Sequence, residues 1–146
     1  MTKRSVQPDD FRLSQSFVRI PLWIAILVIL GSLLTAAGAI ISKVDPTLLT
    51  NNSPMTDAAR VYADYMFARN LPLAVMLLFL LLVKARHMLA GFMVLTAFIQ
   101  IVDVINDVAR GAFLLIPGLL IFAALFLIGA WQLFGQAIWH IDAWRE

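Results

Sequence analysis

The sequence predicts an all-α fold: an integral membrane four-helix bundle with the N and C termini both cytoplasmic. Three observations carry this expectation. Of 146 residues, 62% are hydrophobic and only 14% charged, and the mean hydropathy is +0.89. Soluble domains run at about half apolar and about a quarter charged, so such a chain cannot cover a water-facing surface and the lipid bilayer is its natural solvent. Apolar runs recur four times, each bounded by polar or turn-forming residues. The basic residues then divide unevenly between the two sides those runs define.

Residues 1–20, "MTKRSVQPDDFRLSQSFVRI", form a polar cytoplasmic segment carrying Lys3, Arg4, Arg12 and Arg19. Residues 21–135 form a single transmembrane domain, whose first helix covers about 21–42. Pro21 suits its first turn, where a missing N–H is harmless. A secretory signal cut near "TAAGA" is the competing reading. The apolar run continues past those small residues and the leader is long, so a retained span is expected. Gly31, Thr35 and Gly38 or Ala39 line one side of this helix and should permit close packing.

Residues 42–56, "SKVDPTLLTNNSPMT", read as a loop. The next uninterrupted apolar run, 71–83, reaches only about 20 Å against the roughly 30 Å of a hydrocarbon core. Helix two must therefore extend back through "ARVYADYMFARN", to about 57–84, with Thr56 as its N-cap and a kink at Pro72. That extension draws Arg69 and Asn70, with Asp64, to membrane depth. "KARH" (84–87) is a short connection, helix three covers about 88–108, and helix four about 112–134, bent in its first half by Pro117 and Gly118. The tail, 136–146, with Trp139, His140, Trp144 and Arg145, suits the cytoplasmic interface.

With the N terminus inside, the cytoplasmic side holds Lys3, Arg4, Arg12, Arg19, Lys84, Arg86 and Arg145; Lys43, Arg60, Arg69 and Arg110 lie outside or toward the outside. This asymmetry follows the positive-inside rule and implies a multi-pass protein of a cell membrane, of the bacterial cytoplasmic kind. Trp23 and Trp131 then fall at the inner interface, and Tyr62 and Tyr65 near the outer one. Because the basic residues sit at helix ends, nucleic acid is excluded as a partner. Absence of cysteine excludes disulfides, thiolate metal sites and cysteine nucleophiles. His87 and His140, the only histidines, make no metal set, and His87 reads as an interfacial cation beside Lys84 and Arg86. The methionines share no face that would hold a soft metal. No phosphate, dinucleotide or metal motif appears, so no cofactor is expected.

The chemistry-bearing stretch is "QIVDVINDVAR" (100–110). Gln100, Asp103, Asp107 and Arg110 are spaced by three, four and three residues and share one helical stripe, flanked by Asn106. Counted from the short connection, Arg69 and Asp103 both lie about 22–24 Å deep, Asp64 and Asp107 about 30 Å, and Arg60 and Arg110 about 35 Å. On helix two, Tyr62, Met66 and Arg69 make one row, and Arg60 and Asp64 an adjoining pair. These levels predict that Arg69 pairs with Asp103 and that Arg60 and Arg110 bracket Asp64 and Asp107.

The expected function is a polar pocket between helices two and three near the outer leaflet, formed by Arg60, Tyr62, Asp64, Arg69, Asn70, Gln100, Asp103, Asn106, Asp107 and Arg110. Such a pocket would bind a small amphipathic ligand or lipid. The alternatives are a cofactor-independent isomerase or cyclase, with Asp103 or Asp107 as acid or base and Arg69 stabilising charge, and an accessory subunit whose ion cluster docks a membrane partner protein or a second copy. A purely structural helix clamp uses the same residues.

"ARN" (68–70) opening the apolar part of helix two, the basic connection "KARH", Gly91 of "LAGF" and Asp103 late in helix three together resemble the DoxX/DoxD-like group of small four-helix integral membrane proteins. The likeness is nearest to a bacterial family of unassigned function in or near that group. The resemblance covers about 57–133 and implies the four-helix fold. Some relatives carry a histidine in helix four, where this chain has Ile116-Pro117-Gly118, so histidine chemistry is not carried over. DoxD-like components of quinone-linked redox systems imply a lipid-like partner. A faint internal echo, "ARNLPL" against "ARGAFLLIPG", would relate the two hairpins by duplication.

Overall fold

A computed structural model describes residues 20–45, 47 and 56–135. They form four helices: α1 (Leu22–Val44), α2 (Asp57–Leu82), α3 (Arg86–Ala109) and α4 (Ile116–Phe134). Each is long and apolar enough to cross a membrane. The cytoplasmic segment expected over 1–20 and the interfacial tail expected over 136–146 lie outside the described residues, apart from Ile20.

Local chemistry sets the boundaries. Thr56 caps α2 as expected, its hydroxyl accepting from the Ala59 N–H at 3.2 Å. α2 then runs unbroken through Pro72. It ends in a Schellman turn: Lys84 N–H donates to Leu81 O and Ala85 N–H to Leu80 O, with Lys84 at φ 56°. The same motif closes α3, through Gly111 to Val108 O and Ala112 to Asp107 O, here with glycine at the left-handed position, φ 71°. The α2–α3 connection is thus shorter than expected, and Arg86 and His87 already belong to α3.

Two boundaries differ from expectation. α1 continues to Val44, so Lys43 sits in its last turn rather than in a loop. α4 starts at Ile116 rather than near 112, with Pro117 in its first turn. Proline lacks the N–H that an interior turn needs but a first turn does not, so it starts this helix instead of bending it. Pro72 lies deep inside α2, so the two prolines of the internal echo play unlike parts.

The helices pack as an up-and-down bundle. α1 lies most closely against α2 and α3 against α4, while the α2–α3 seam is looser. The core explains why. Its buried residues come from one half of the bundle: Ile24, Leu27 and Val28 of α1, Leu77 and Leu80 of α2, Leu89 to Ala97 of α3, and Ala123 to Phe134 of α4. Among the described residues this cluster takes nothing from α2 before Leu77 or from α3 beyond Ala97. The half nearest the α2–α3 turn is therefore the more deeply buried, and along the other half of that seam burial is partial, as at Ile101. The outer surface of the bundle is apolar all round, with Leu22, Ile26, Leu33, Val75, Phe98 and Leu120 among its exposed residues. Hydrocarbon suits such a surface better than water.

Small residues let α1 approach its neighbours. Gly31 and Ala39 are buried, and a Cβ on Gly31 would meet the Phe126 ring at 2.6 Å. Gly38 faces open space, so of the expected pair Ala39 is the packing residue. Phe126 is itself fully buried and cannot swing aside. Gly31→Ala is expected to destabilise the protein by about 1–3 kcal/mol. Gly38→Ala should be neutral or slightly stabilising, since alanine is the better helix former. Thermal unfolding in detergent compares the two, and equal shifts would contradict the packing argument.

Candidate functional site

Apart from Lys84 and Arg86 at the α2–α3 turn, the charged residues described gather in the half of the bundle beyond the buried cluster. At its centre Arg69 of α2 meets Asp103 of α3: one terminal guanidinium nitrogen, Nη2, donates to both carboxylate oxygens, at 3.2 and 3.0 Å. Arg69 Nε donates to Asn70 Oδ1 at 3.1 Å, which fixes the plane of the guanidinium. The pairing expected from helical rise is thus present. The side chains are 36% and 23% exposed, so the pair is neither sealed in the core nor loose at the surface.

The other levels pair differently. Asp64 does not turn toward Arg60 or α3. It binds Lys43 of α1, Nζ to Oδ1 at 2.6 Å. Asp107 is joined by Arg110 of its own helix, one turn away, at 2.6 Å. Arg110 Nε also donates to Asn106 O at 3.3 Å. Arg60 and Arg110 therefore do not bracket a pair of carboxylates. The cause is rotational: Asp64 and Arg69 are five residues apart, about 140° around the helix, so they address different neighbours.

The remaining expected residues are dispersed. Gln100 is half-buried on the Asp103 face, and its Oε1 is buried with no hydrogen-bond partner. Tyr62 and Asn106 are exposed. Arg60 is exposed and borders a cleft of about 450 Å³ between α1 and α2, with Lys43 and Asp64. A second cleft, of about 580 Å³, lies at the opposite end of the bundle between α1 and α4, lined by Trp23, Ile128, Trp131, Gln132 and Gly135. Its two tryptophans share one end, as expected, and the exposed Tyr62 and Tyr65 lie toward the other. His87 packs its ring against Phe134 at 6.1 Å, and Arg86 Nη2 donates to Gln132 O at 3.1 Å, joining α3 to α4.

Lys43 is the participant that the sequence reading missed. The "SKVDP" turn signals place it in a loop, and the depth count considered only helices two and three. A signal was present, since the residues after Ile41 give no helix stop until Pro46.

Chemically, among the described residues the centre offers a guanidinium with Nη1 uncommitted, a carboxylate with unused lone pairs and a buried amide oxygen without a donor. It can hold a polar group that both donates and accepts hydrogen bonds. No protein-family model, curated protein or solved structure matches this chain.

The two interhelical ion pairs should differ in strength. Arg69–Asp103 is partly desolvated and doubly bonded, whereas Lys43 and Asp64 are each more than half exposed. A double-mutant cycle on Arg69→Met and Asp103→Asn is expected to give a coupling of about 1–2 kcal/mol. The corresponding Lys43→Ala and Asp64→Ala cycle should give less than about 1 kcal/mol. The reverse order, read from denaturant unfolding in micelles, would refute the assignment of Arg69–Asp103 as the stronger tie.

Proposed function

We propose that this chain is a multi-pass protein of a cell membrane, with both termini cytoplasmic, whose Arg69–Asp103 site binds the head group of a small amphipathic molecule or lipid. The observation that carries the reading is the position of the ion pair. It lies past the edge of the buried cluster, partly exposed, on a seam of the apolar bundle that is looser than the α1–α2 and α3–α4 seams.

Charges among apolar helices are expensive unless partnered, and an ion pair replaced by apolar residues is often no less stable. A clamp alone would need neither the uncommitted Nη1 of Arg69 nor the unpartnered Gln100 Oε1. An amphipathic ligand uses both: an acceptor on its head group takes Arg69 Nη1, and a hydroxyl or N–H donor satisfies Gln100 or a free lone pair of Asp103. Its apolar part would lie along the α2–α3 seam, beside the partly buried Ile101. Asp103 and Arg69 are already each other's partners, which favours binding over proton transfer to a substrate. The DoxX/DoxD-like resemblance, carried by residues 68–70 and 84–87 with Gly91 and Asp103, agrees with this reading in fold and in a lipid-like ligand.

Purification in a mild detergent followed by mass spectrometry of extracted small molecules tests the binding. Wild type is expected to retain a stoichiometric amphipathic compound that Asp103→Asn and Arg69→Lys lose by about 10–100-fold, the worth of a charge-assisted contact. If folded variants retain the wild-type content, or if wild type carries nothing, the residues are a clamp and the binding reading fails.

Orientation has its own test, made simple because the chain has no cysteine. In intact cells an impermeant maleimide should label Asp57→Cys and not Lys84→Cys. Labelling of Lys84→Cys alone would invert the topology.

A further inference from the structure

Lys43 and Arg60 converge on the α1–α2 cleft of about 450 Å³, together with Asp64, Ser42, Thr47 and Ala63. Lys43 is bound to Asp64 at 2.6 Å. Arg60 is different. Its backbone N–H donates to Thr56 O at 3.1 Å, but its guanidinium has no partner among the described residues and is exposed. The residues lining the cleft thus bring two cations against one carboxylate; a second carboxylate, Asp45, stands behind Thr47 and accepts from that residue's N–H and hydroxyl.

Its place in the fold gives that surplus a meaning. Lys43 is one residue from the end of α1, and Arg60 is the fourth residue of α2. If the apolar helices span a bilayer, their ends lie among the head groups, where Tyr62 and Tyr65 are also exposed. The start of α2 adds the positive end of its dipole, partly offset by Asp57 in the same turn. A planar guanidinium beside an ammonium suits the oxygens of a phosphate, through paired N–H donors on one side and a point charge on the other.

We infer that this cleft holds the phosphate of an anionic phospholipid head group, with Arg60 as its main contact and Lys43 shared between the phosphate and Asp64. The site is separate from the α2–α3 centre and selects by charge. It rests on the membrane reading but not on the amphipathic ligand of Arg69 and Asp103.

The sharing of Lys43 sets the signs of the test. Removing the carboxylate of Asp64 frees Lys43 for the phosphate, whereas removing either cation weakens the site. Native mass spectrometry of the full chain, titrated with phosphatidylglycerol or phosphatidylcholine, reads the preference. Wild type is expected to favour phosphatidylglycerol by about fivefold or more. Arg60→Ala and Lys43→Ala should each abolish most of that preference, and Asp64→Asn should increase it. Lys84→Ala, at the opposite end of the bundle, should leave it unchanged.

Equal retention of the two lipids by wild type overturns the inference. So does a decrease in Asp64→Asn, or a loss in Lys84→Ala as large as that in Arg60→Ala, which would mean diffuse charge rather than a site. Displacement of the lipid by millimolar glycerol phosphate would assign the cleft to a soluble phosphate and overturn the lipid source. Failure of the chain to enter micelles or bilayers at all would instead refute the membrane reading. Circular dichroism of each variant confirms the fold, and Arg60→Ala, which removes an exposed side chain, keeps the test decisive if Asp64→Asn unfolds.

Discussion

Where α2 and α3 leave the buried cluster, the polar contact that ties them to each other is the ion pair between Arg69 and Asp103. The buried cluster that joins all four helices lies in the half nearest the α2–α3 turn, from Ile24 through Leu77, Met93 and Phe126, while Ala39, Ser42 and Ala63 are buried along α1 and α2 beyond it. Beyond that, α2 and α3 have no shared core, and hydrophobic burial, which is proportional to the area removed from solvent, contributes little to their association. In hydrocarbon it contributes less still, because lipid chains are as apolar as leucine. The seam is held there by a directed electrostatic contact, which is strong at its own geometry and weak away from it.

That substitution of electrostatics for packing gives the two halves different mechanical characters. A packed core resists displacement at every atom, so the inner half is stiff. An ion pair at 3.0 Å between partly exposed side chains can exchange one partner for another polar group. The same choice explains why Asn70 and Gln100 belong with it. A guanidinium and a carboxylate have more hydrogen-bonding positions than one pair consumes, and in a low-dielectric setting the neighbours must meet the remainder. Asn70 does so for Arg69 Nε, while Gln100 leaves its own oxygen open.

How much of this was legible in the sequence follows from what kind of signal each feature leaves. The four helices are written in apolar length, and Thr56 in a hydroxyl just before an acidic first turn. The Arg69–Asp103 contact could be reached by counting, because a short connection fixes the relative depth of two antiparallel helices to within a turn. Counting gives depth but not rotation, however. Asp64 lies at the level of Asp107, yet it faces α1, and only three-dimensional packing says which neighbour a given side of α2 meets. Lys43 escaped for a related reason: "SKVDP" looks like a loop, but a helix end is set by where the capping bonds close, here at Asp45 N–H to Ile41 O. Pro117 was misread in the same way, since a proline marks either a bend or a beginning, and the residues before it decide which.

The rotation that sequence counting could not supply is also what gives α2 its part in the molecule. Asp64 binds α1 and Arg69 binds α3, on sides of α2 about 140° apart. Before Leu77, α2 is therefore held on two sides by ion pairs, in addition to the packing of its buried Ala63 and Ala74. Pro72 lies between the core-packed part and these ties, and by lacking an N–H it leaves the carbonyl of Ala68 without its helical partner just beside Arg69. A helix built this way bends more easily at that point than elsewhere. The Arg69–Asp103 contact and the cleft beside Lys43 and Asp64 are chemically distinct, and α2 is the wall between them.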